Sequence, residues 1–410
     1  MYYMHIDCNS YFASCEMATR PELRDKAVVV ANGNDKGGGV VLALNDRAKA
    51  LGIRRGVPLF KMRDVLEHGE VEICPADHRK YRAISARIMD TVVGQGIVQD
   101  FVQYSIDEFF GTLPVDDRDE VRACTAQVKD AIWEAAAIPV GCGCSQTYTL
   151  AKVATHFAKH YPAYGGICVL PPADMPKALS LLAVGEVWGI GRRLSQQLQS
   201  AGFCTALDFA SAAREQVQPL LSTAGMRTWM ELRGCPAIVL KNHDQRKSIM
   251  QSRTFAEMIE SAEGLEAELS AFANQCAVTL RQQQSLCGVV TVFIATNPYR
   301  ADLAQYRNDA SQRLPTPTAD TSTLLRTVRQ LLSALYRPGY RYKRAGVVLS
   351  AIVPDEGHQL DLFSAPEEQM AAFDARQRER ELERARQDAV IKIRTKFGKN
   401  AILKGMNYEE

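Results

Sequence analysis

The order of predicted secondary structure in the first 144 residues restricts the fold more than any other feature of this chain. Residues 2–7 form an apolar run that predicts a buried strand, and residues 81–93 carry apolar side chains at helical spacing. A second strand is predicted over 101–104, a helix over about 118–136 and a further strand over 139–144. This alternation of strands and helices fits a split βαβ layer with ferredoxin-like topology.

Acidic residues stand where two of these strands are predicted to end. Asp7 closes the first apolar run, and Asp107 with Glu108 follows the second. If the strands lie side by side, three carboxylates meet, repel one another and take up protons unless cations hold them. Oxygen ligands select hard cations such as Mg²⁺, and two such ions can hold the attacking and leaving oxygens of a phosphoryl transfer. Taken singly, each segment also fits a solvated turn or a helix cap.

Together the two acidic segments resemble the catalytic motifs of Y-family DNA polymerases, the translesion enzymes. The segments read Tyr3-Met4-His5-Ile6-Asp7-Cys8-Asn9-Ser10-Tyr11-Phe12 and Tyr104-Ser105-Ile106-Asp107-Glu108-Phe109-Phe110. The resemblance extends from the N-terminus to about residue 363 and is strongest to the UmuC-like branch, the catalytic subunits of DNA polymerase V, with DinB-type polymerase IV as a close relative. It implies template-directed, error-prone DNA synthesis in lesion bypass, without proofreading.

The resemblance implies an α+β multidomain fold with the right-hand architecture of polymerases. The expected parts are a ferredoxin-like palm (1–10 and 78–166), small fingers (11–77), a helical thumb (167–235), a linker (236–247), an α/β little finger (248–353) and a C-terminal tail (354–410). In the little finger, strands are predicted over 248–255, 288–296 and 345–352, and helices over about 262–282 and 321–336.

The same resemblance assigns metal-binding roles to four residues. Asp7 and Asp107 are implied to bridge two Mg²⁺ ions. Glu108 is implied to bind the ion that activates the primer 3′-hydroxyl. The backbone carbonyl of Cys8 is implied to complete the site of the nucleotide-bound ion.

Four side chains are implied to surround the incoming dNTP. Phe12 matches the steric gate of the family, a flat ring that leaves no room for a 2′-hydroxyl. Tyr11 lies beside it and is expected to pack inward. Lys49 and Lys159 align with the fingers and palm cations that meet the triphosphate. By themselves, Phe12 also fits a core residue and the two lysines fit an ordinary surface.

DNA contacts are expected in the thumb and the little finger. Gly189, Gly191, Arg192 and Arg193 resemble a helix–hairpin–helix, in which glycines let the backbone approach a phosphate. An ordinary turn is the alternative. Between residues 241 and 353 there are 14 Lys and Arg against 9 Asp and Glu, which favours a phosphate-facing surface. Candidate template contacts there are Arg246, Lys247, Arg253, Arg341, Lys343 and Arg344.

A short peptide after the little finger resembles the bacterial sliding-clamp-binding motif. It comprises Gln359, Leu360, Leu362 and Phe363, in which apolar anchors would enter a pocket on the clamp; packing of this segment on its own domain is the alternative. Residues 367–396 predict a charged, solvated helix. The expected partners are primer–template DNA, dNTP, a sliding clamp and UmuD-like and RecA-like accessory proteins.

Composition excludes other classes of protein. The chain has no run of eighteen apolar residues, so no membrane span is expected. The eleven cysteines lack the Cys-x-x-Cys pairing of zinc sites and are expected to be free thiols in a reducing cytoplasm. Two alternatives to the polymerase remain from the sequence: another palm-type two-metal enzyme, such as a cyclase or nuclease, and a non-catalytic DNA- or clamp-binding scaffold.

Overall fold

The computed structural model describes residues 1–34, 38–68, 71–240 and 246–355, together with the single residue 389. The chain divides into two compact units, Met1–Asn242 and His243–Glu410. None of the described helices is both long and apolar enough to cross a membrane.

The first unit combines two sheets with eleven α-helices in its described residues. Its elements in chain order are β1 (Tyr2–Cys8), α1 (Tyr11–Thr19), β2 (Ala27–Asn34), β3 (Gly38–Leu44), α2 (Asp46–Ala50), α3 (Arg63–His68), β4 (Val71–Pro75), α4 (His78–Gln95), β5 (Gln99–Gln103), β6 (Glu108–Leu113), α5 (Arg118–Ala136), β7 (Val140–Ser145), α6 (Tyr148–His160), β8 (Ile167–Val169), α7 (Met175–Ser180), α8 (Arg192–Ser200), α9 (Ala206–Ser211), α10 (Arg214–Val217) and α11 (Thr223–Leu232).

A five-stranded sheet in the order β5-β6-β1-β7-β8 forms the centre of this unit. Strand β1 pairs antiparallel with both β6 and β7. Side chains alternate along β1, so Met4 and Ile6 join the core formed with α4 and α5. On the opposite face, Tyr3, His5 and Asp7 meet α6. The alternation therefore sends the acidic end of β1 toward one helix.

The structure corrects the predicted placement of the second acidic segment. The strand that pairs with β1 begins at Glu108, and Asp107 lies in the turn between β5 and β6. The prediction that Asp107 ends a strand was wrong because the longer buried run is Phe109–Leu113, after the acids. In an antiparallel pair the start of β6 lies beside the end of β1, so the acids still meet.

Glycines in β7 let helix α6 lie directly against the sheet. A Cβ at Gly143 would stand 2.2 Å from the backbone nitrogen of Thr155. A Cβ at Gly141 would stand 2.5 Å from Cγ of Lys159. Any side chain at either position would therefore displace α6 or its lysine, and the close approach brings Lys159 to Asp7.

A second, three-stranded sheet has the order β3-β2-β4 and its own small apolar core, which includes Val29 and Val41. The side chain of Asn45 accepts a hydrogen bond from the backbone of Ala48 and caps α2. Ser10 occupies the N-cap of α1 without a side-chain cap, and its Oγ accepts a hydrogen bond from Lys49. Strand β4 was not predicted, since it is only five residues long.

A buried carboxylate joins α6 to the helices that follow it. Glu231 is 0 % exposed, and its two oxygens accept hydrogen bonds from the backbone nitrogens of Thr149, Ala237 and Ile238. The hydroxyl of Thr147 caps α6 and also donates to the Glu231 carbonyl. Three backbone donors therefore depend on one side chain.

Glu231→Ala should lower the free energy of unfolding by about 3 kcal/mol, because it leaves several buried donors without a partner. Urea denaturation followed by circular dichroism measures the change. Glu134→Ala, at an exposed glutamate of α5, is the matched control and should change stability by less than about 0.5 kcal/mol. Equal stability of the two variants would contradict the anchoring role.

In its described residues up to 355, the second unit is a four-stranded sheet with two α-helices. Its described elements are β9 (Ile249–Ile259), α12 (Ala262–Gln282), β10 (Ser285–Thr296), β11 (Arg307–Thr318), α13 (Thr321–Leu335) and β12 (Tyr342–Pro354), in the sheet order β11-β10-β12-β9. The predicted helices and three strands are present. Strand β11 was missed because it is polar and carries Pro315 and Pro317; it lies at the sheet edge, where proline is tolerated.

Candidate active site

Three carboxylates meet where β1 ends and β6 begins. Asp7 stands directly opposite Glu108 in the antiparallel register. The backbone nitrogen of Cys8 donates to the Asp107 carbonyl at 2.9 Å, which fixes the turn beside the strand. The side chains of Asp7 and Glu108 are 24 % and 21 % exposed. We call Asp7, Asp107 and Glu108 the carboxylate cluster.

Each member of the carboxylate cluster has its own donor. Lys159 Nζ lies 2.5 Å from Asp7 Oδ1, and Lys152 Nζ lies 2.9 Å from Glu108 Oε1. Ser105 Oγ donates to Asp107 Oδ1 at 2.9 Å. Within the described part of the chain, no three His, Cys, Asp or Glu side chains are arranged to hold a metal ion as they stand. One oxygen of each carboxylate is therefore already engaged by its donor.

The electrostatics of the cluster favour cations. Burial raises the pKa of Asp7, Lys159 opposes the shift, and the neighbouring charges of Glu108 and Asp107 add to it. Burial, together with Lys152 and Lys159, holds the pKa of His5 well below its usual value, so the imidazole is neutral at pH 7. Three carboxylates thus face two ammonium groups, and the excess negative charge on oxygen ligands fits hard divalent cations.

Phe12 lies near the cluster, at the second position of α1. Its half-buried ring stacks on Tyr81 at a centroid distance of 4.4 Å and an interplanar angle of 17°. His78 contacts its edge at 5.5 Å. Tyr11 is 3 % exposed and its hydroxyl donates to the Tyr81 carbonyl, so this side chain packs inward as predicted. The rings behind Phe12 fix its position.

The two predicted triphosphate cations have different surroundings. Lys159 extends from α6 across Gly141 to Asp7. Lys49 is about half exposed, and its ammonium group contacts Ser10 Oγ at 3.1 Å and Asp46 Oδ1 at 2.8 Å. Lys159 is thus paired with the end of β1, and Lys49 with the segment that follows β1.

An open cleft of about 420 Å³ lies on the α6 side of the sheet. Its lining includes Asp7 of the carboxylate cluster, Lys152 and Lys159 of α6, and Glu186 and Trp188 from the segment before α8. Two imidazoles of α6, His156 and His160, stack at 4.2 Å along the same cleft. Asp7 of the carboxylate cluster is therefore reached from this side.

The segment before α8 contains the glycines and arginines that were expected to form a hairpin. Gly189 has φ +85°, a conformation that favours glycine, and a Cβ there would stand 3.0 Å from the Thr228 hydroxyl. Gly191 is the N-cap of α8 without a side-chain cap. Arg192 and Arg193 are exposed in the first turn.

The arginines of the second unit are held by different partners. Arg253 forms a 3.5 Å ion pair with Glu268, and Arg341 forms a 2.8 Å pair with Glu260. Arg344 lies over the Phe293 ring and donates to Ser252 Oγ. Arg246 and Lys247 are exposed, and Lys343 donates to a carbonyl of β9. The clamp peptide Gln359–Phe363 and the tail lie outside the described residues.

Sequence reasoning left out several side chains at the cluster. Lys152 pairs with Glu108, and Tyr104 and Trp188 lie beside it. Two spacings would have revealed part of this arrangement. His5 shares a strand face with Asp7, and Lys152 shares a helix face with Lys159 because seven residues make two turns. Trp188 had no such signal.

The chain is similar to known proteins over most of its length. The family model described as impB/mucB/samB matches residues 6–156, and its C-terminal domain matches residues 246–362. The chain is 34% identical over 367 residues to protein MucB of Salmonella typhimurium, covering 88% of this chain and 85% of the relative. It is 33% identical over 366 residues to UmuC of the same species, covering 87% and 84%.

More distant relatives share the fold. DNA polymerase IV of Methanoculleus marisnigri is 29% identical over 336 residues, covering 80% of this chain and 88% of the relative. A Y-family DNA polymerase chimera of Dbh and Dpo4 superposes with a TM-score of 0.72 at 21% identity, covering 86% of this chain and 100% of that chain. DinB from Sulfolobus solfataricus gives a TM-score of 0.53 at 20% identity, with the same coverage.

The fold, the carboxylate cluster and these relatives together define a Y-family DNA polymerase, a DNA-directed enzyme of translesion synthesis. Within that class, the chain belongs to the impB/mucB/samB family. The α+β multidomain fold expected from the sequence is confirmed.

Proposed function

We propose that this polymerase extends primers by nucleotidyl transfer at the carboxylate cluster, with two Mg²⁺ ions held by Asp7, Asp107, Glu108 and the Cys8 carbonyl. The observation that carries the proposal is the register that sets Asp7 opposite Glu108. When bound, the ions lower the pKa of the primer 3′-hydroxyl and offset charge on the phosphoryl group. The lysines hold Asp7 and Glu108 in place before DNA and dNTP arrive.

The side chains around the cluster then have defined roles. Lys159 and Lys49 meet the triphosphate of the incoming dNTP, and each gives up a carboxylate to do so. Phe12 sets the floor beneath the sugar. Tyr11 supports that floor from within the core through its bond to the Tyr81 carbonyl.

Primer extension on undamaged template and on template with one abasic site tests the proposed function. We expect Mg²⁺-dependent incorporation on both, and misincorporation because no separate acidic cluster for proofreading was found in the sequence. No extension on the undamaged template would favour the scaffold alternative. Extension that stops before the lesion would contradict bypass.

DNA is proposed to be held along its phosphates by the hairpin of the first unit and by basic side chains of the second. The free N–H groups at the start of α8 and the charges of Arg192 and Arg193 suit a phosphate. In the second unit Arg253 and Arg344 are the proposed contacts, and Arg246, Lys247, Arg341 and Lys343 add to the surface. Such binding tolerates sequence and weakens with salt.

Replacing both Arg192 and Arg193 by Ala should weaken primer–template binding and lower the slope of log affinity against log salt by about 1 to 2. Fluorescence anisotropy at several NaCl concentrations measures both quantities. Arg214→Ala, at an exposed arginine of α10, is the control and should leave the slope unchanged. An unaltered slope in the double variant would remove the hairpin from the DNA interface.

The proposed partners beyond DNA and dNTP are a sliding clamp and UmuD-like and RecA-like accessory proteins. The clamp peptide Gln359, Leu360, Leu362 and Phe363 begins five residues after β12 ends at Pro354. Two apolar anchors and one glutamine suit short-peptide recognition. All eleven cysteines are free thiols, which supports a reducing, cytoplasmic setting for the enzyme.

A further inference from the structure

The ammonium group of Lys152 lies between a carboxylate and three aromatic rings. Its Nζ is 2.9 Å from Glu108 Oε1, and the lysine side chain is 19 % exposed. It also lies 5.6 Å from the ring centroid of Tyr104, 5.8 Å from that of Phe110 and 5.4 Å from that of Trp188. A cation within about 6 Å of a ring face is attracted by the ring, so Lys152 has two sets of partners.

The three rings come from different parts of the first unit. Tyr104 precedes the turn that holds Asp107, Phe110 belongs to β6, and Trp188 belongs to the segment that leads into the hairpin. Trp188 Nε1 donates to the Tyr104 hydroxyl at 3.3 Å. The rings also contact one another, with centroid distances of 5.4 to 5.5 Å. We call Tyr104, Phe110 and Trp188 the aromatic cage.

Lys152 and Lys159, which pair with the carboxylate cluster, differ in the partners available to them once they leave their carboxylates. Lys159 has the triphosphate as its proposed alternative partner. Lys152 already lies within about 6 Å of the three rings of the aromatic cage, which attract its charge. An ammonium group and a divalent cation cannot share Glu108 at close range, because like charges repel strongly in a half-buried site.

We propose that Lys152 is a positioning residue that neutralises Glu108 before divalent cations bind and then moves fully onto the aromatic cage. This inference rests on the proposed two-metal function. Because Trp188 adjoins Gly189, the movement of Lys152 changes the contacts of the hairpin whenever Glu108 changes its partner. Lys152 thereby links the carboxylate cluster to the hairpin that is proposed to bind DNA.

Metal titration of the full-length protein without DNA or dNTP tests this movement directly. Mn²⁺ affinity is measured by electron paramagnetic resonance, and Mg²⁺ is added while Trp fluorescence is recorded. The difference between wild type and Trp188→Phe isolates the response of Trp188 from the other two tryptophans. We expect its emission to change and to saturate as Glu108 exchanges its partner.

Lys152→Met should bind Mn²⁺ about tenfold more tightly, since no ammonium group competes for Glu108, and should lose the Trp188 response. Lys152→Arg should restore both, because guanidinium keeps the charge and stacks on aromatic rings. Lys129→Met is the matched control: Lys129 lies on α5 and donates to the Gly165 carbonyl, so Mn²⁺ affinity and the Trp188 response should be unchanged.

Two results would overturn the inference. Unchanged Mn²⁺ affinity in Lys152→Met, with only a lower melting temperature, would make the lysine a structural filler of the aromatic cage. Unchanged Mn²⁺ affinity with weaker DNA binding would make it a phosphate contact. Either result, with primer extension by the wild type intact, leaves the proposed function standing. If the wild type fails to extend primers, the proposed function itself fails.

Discussion

Asp107→Ala should abolish nucleotide incorporation while the protein remains folded. Asp107 lies in the turn between β5 and β6, where its side chain accepts a hydrogen bond from Ser105 and supports no other described element. Removing this carboxylate takes away a proposed ligand of both metal ions. Loss of one such stabilising group lowers the rate by at least about 1000-fold. Single-turnover incorporation of dNTP with Mg²⁺ measures the effect.

Two further variants make the Asp107 result specific. Asp107→Asn keeps the size of the side chain but removes its charge, and it should be as inactive as Asp107→Ala. Asp90→Ala, at an exposed position of α4, should retain wild-type incorporation. Circular dichroism and thermal melting establish that all three variants are folded. Incorporation by Asp107→Ala within tenfold of wild type would remove this residue from the metal site.

Phe12→Ala should relax the discrimination between deoxyribonucleotides and ribonucleotides by about 100-fold. The ring is fixed by its stacking on Tyr81 and by the edge contact of His78, so it cannot move aside for a 2′-hydroxyl. Truncation to Ala removes the obstacle and leaves the backbone of α1 in place. The ratio of kcat/KM for dNTP to kcat/KM for rNTP measures the change.

Phe60→Ala is the control for the sugar-discrimination experiment. Phe60 is 60 % exposed and precedes α3, so its loss should leave the ratio unchanged. Phe12→Tyr should keep the ratio near that of wild type, because a flat ring remains. A ratio unaffected by Phe12→Ala would assign Phe12 to the core that Tyr81 and Tyr11 belong to.

Much of the fold could be predicted from the spacing of apolar residues, because long buried elements leave a strong pattern in the sequence. Strand β1, helices α4 and α5 and strand β7 were predicted close to their observed bounds. Short or polar edge elements such as β11 leave little pattern, since only one side of an edge strand is paired. The predicted position of Asp107 was wrong for a related reason. Apolar residues stand on both sides of its turn, so the acidic pair could be assigned to the end of one strand or to the start of the next.

The pairing of carboxylates could be predicted, but their present partners could not. Alternation along β1 is a local rule, but the pairing of β1 with β6 joins residues 101 apart in sequence. The meeting of Asp7 with Glu108 was therefore expected only if the two strands lie side by side. The contact of Trp188 with Lys152 joins segments 36 residues apart in sequence. It depends on how α6 packs against the segment before α8, which no local pattern encodes.

The two glycines of β7 also limit how this enzyme can be re-engineered. Because Cβ atoms at 141 and 143 would collide with α6 at 2.5 Å or less, mutant libraries that include these codons should yield few active clones. Variation is better placed at exposed positions of α2, such as Asp46 and Arg47, whose side chains do not pack between the layers. Natural substitutions are likewise expected to be rare at positions 141 and 143.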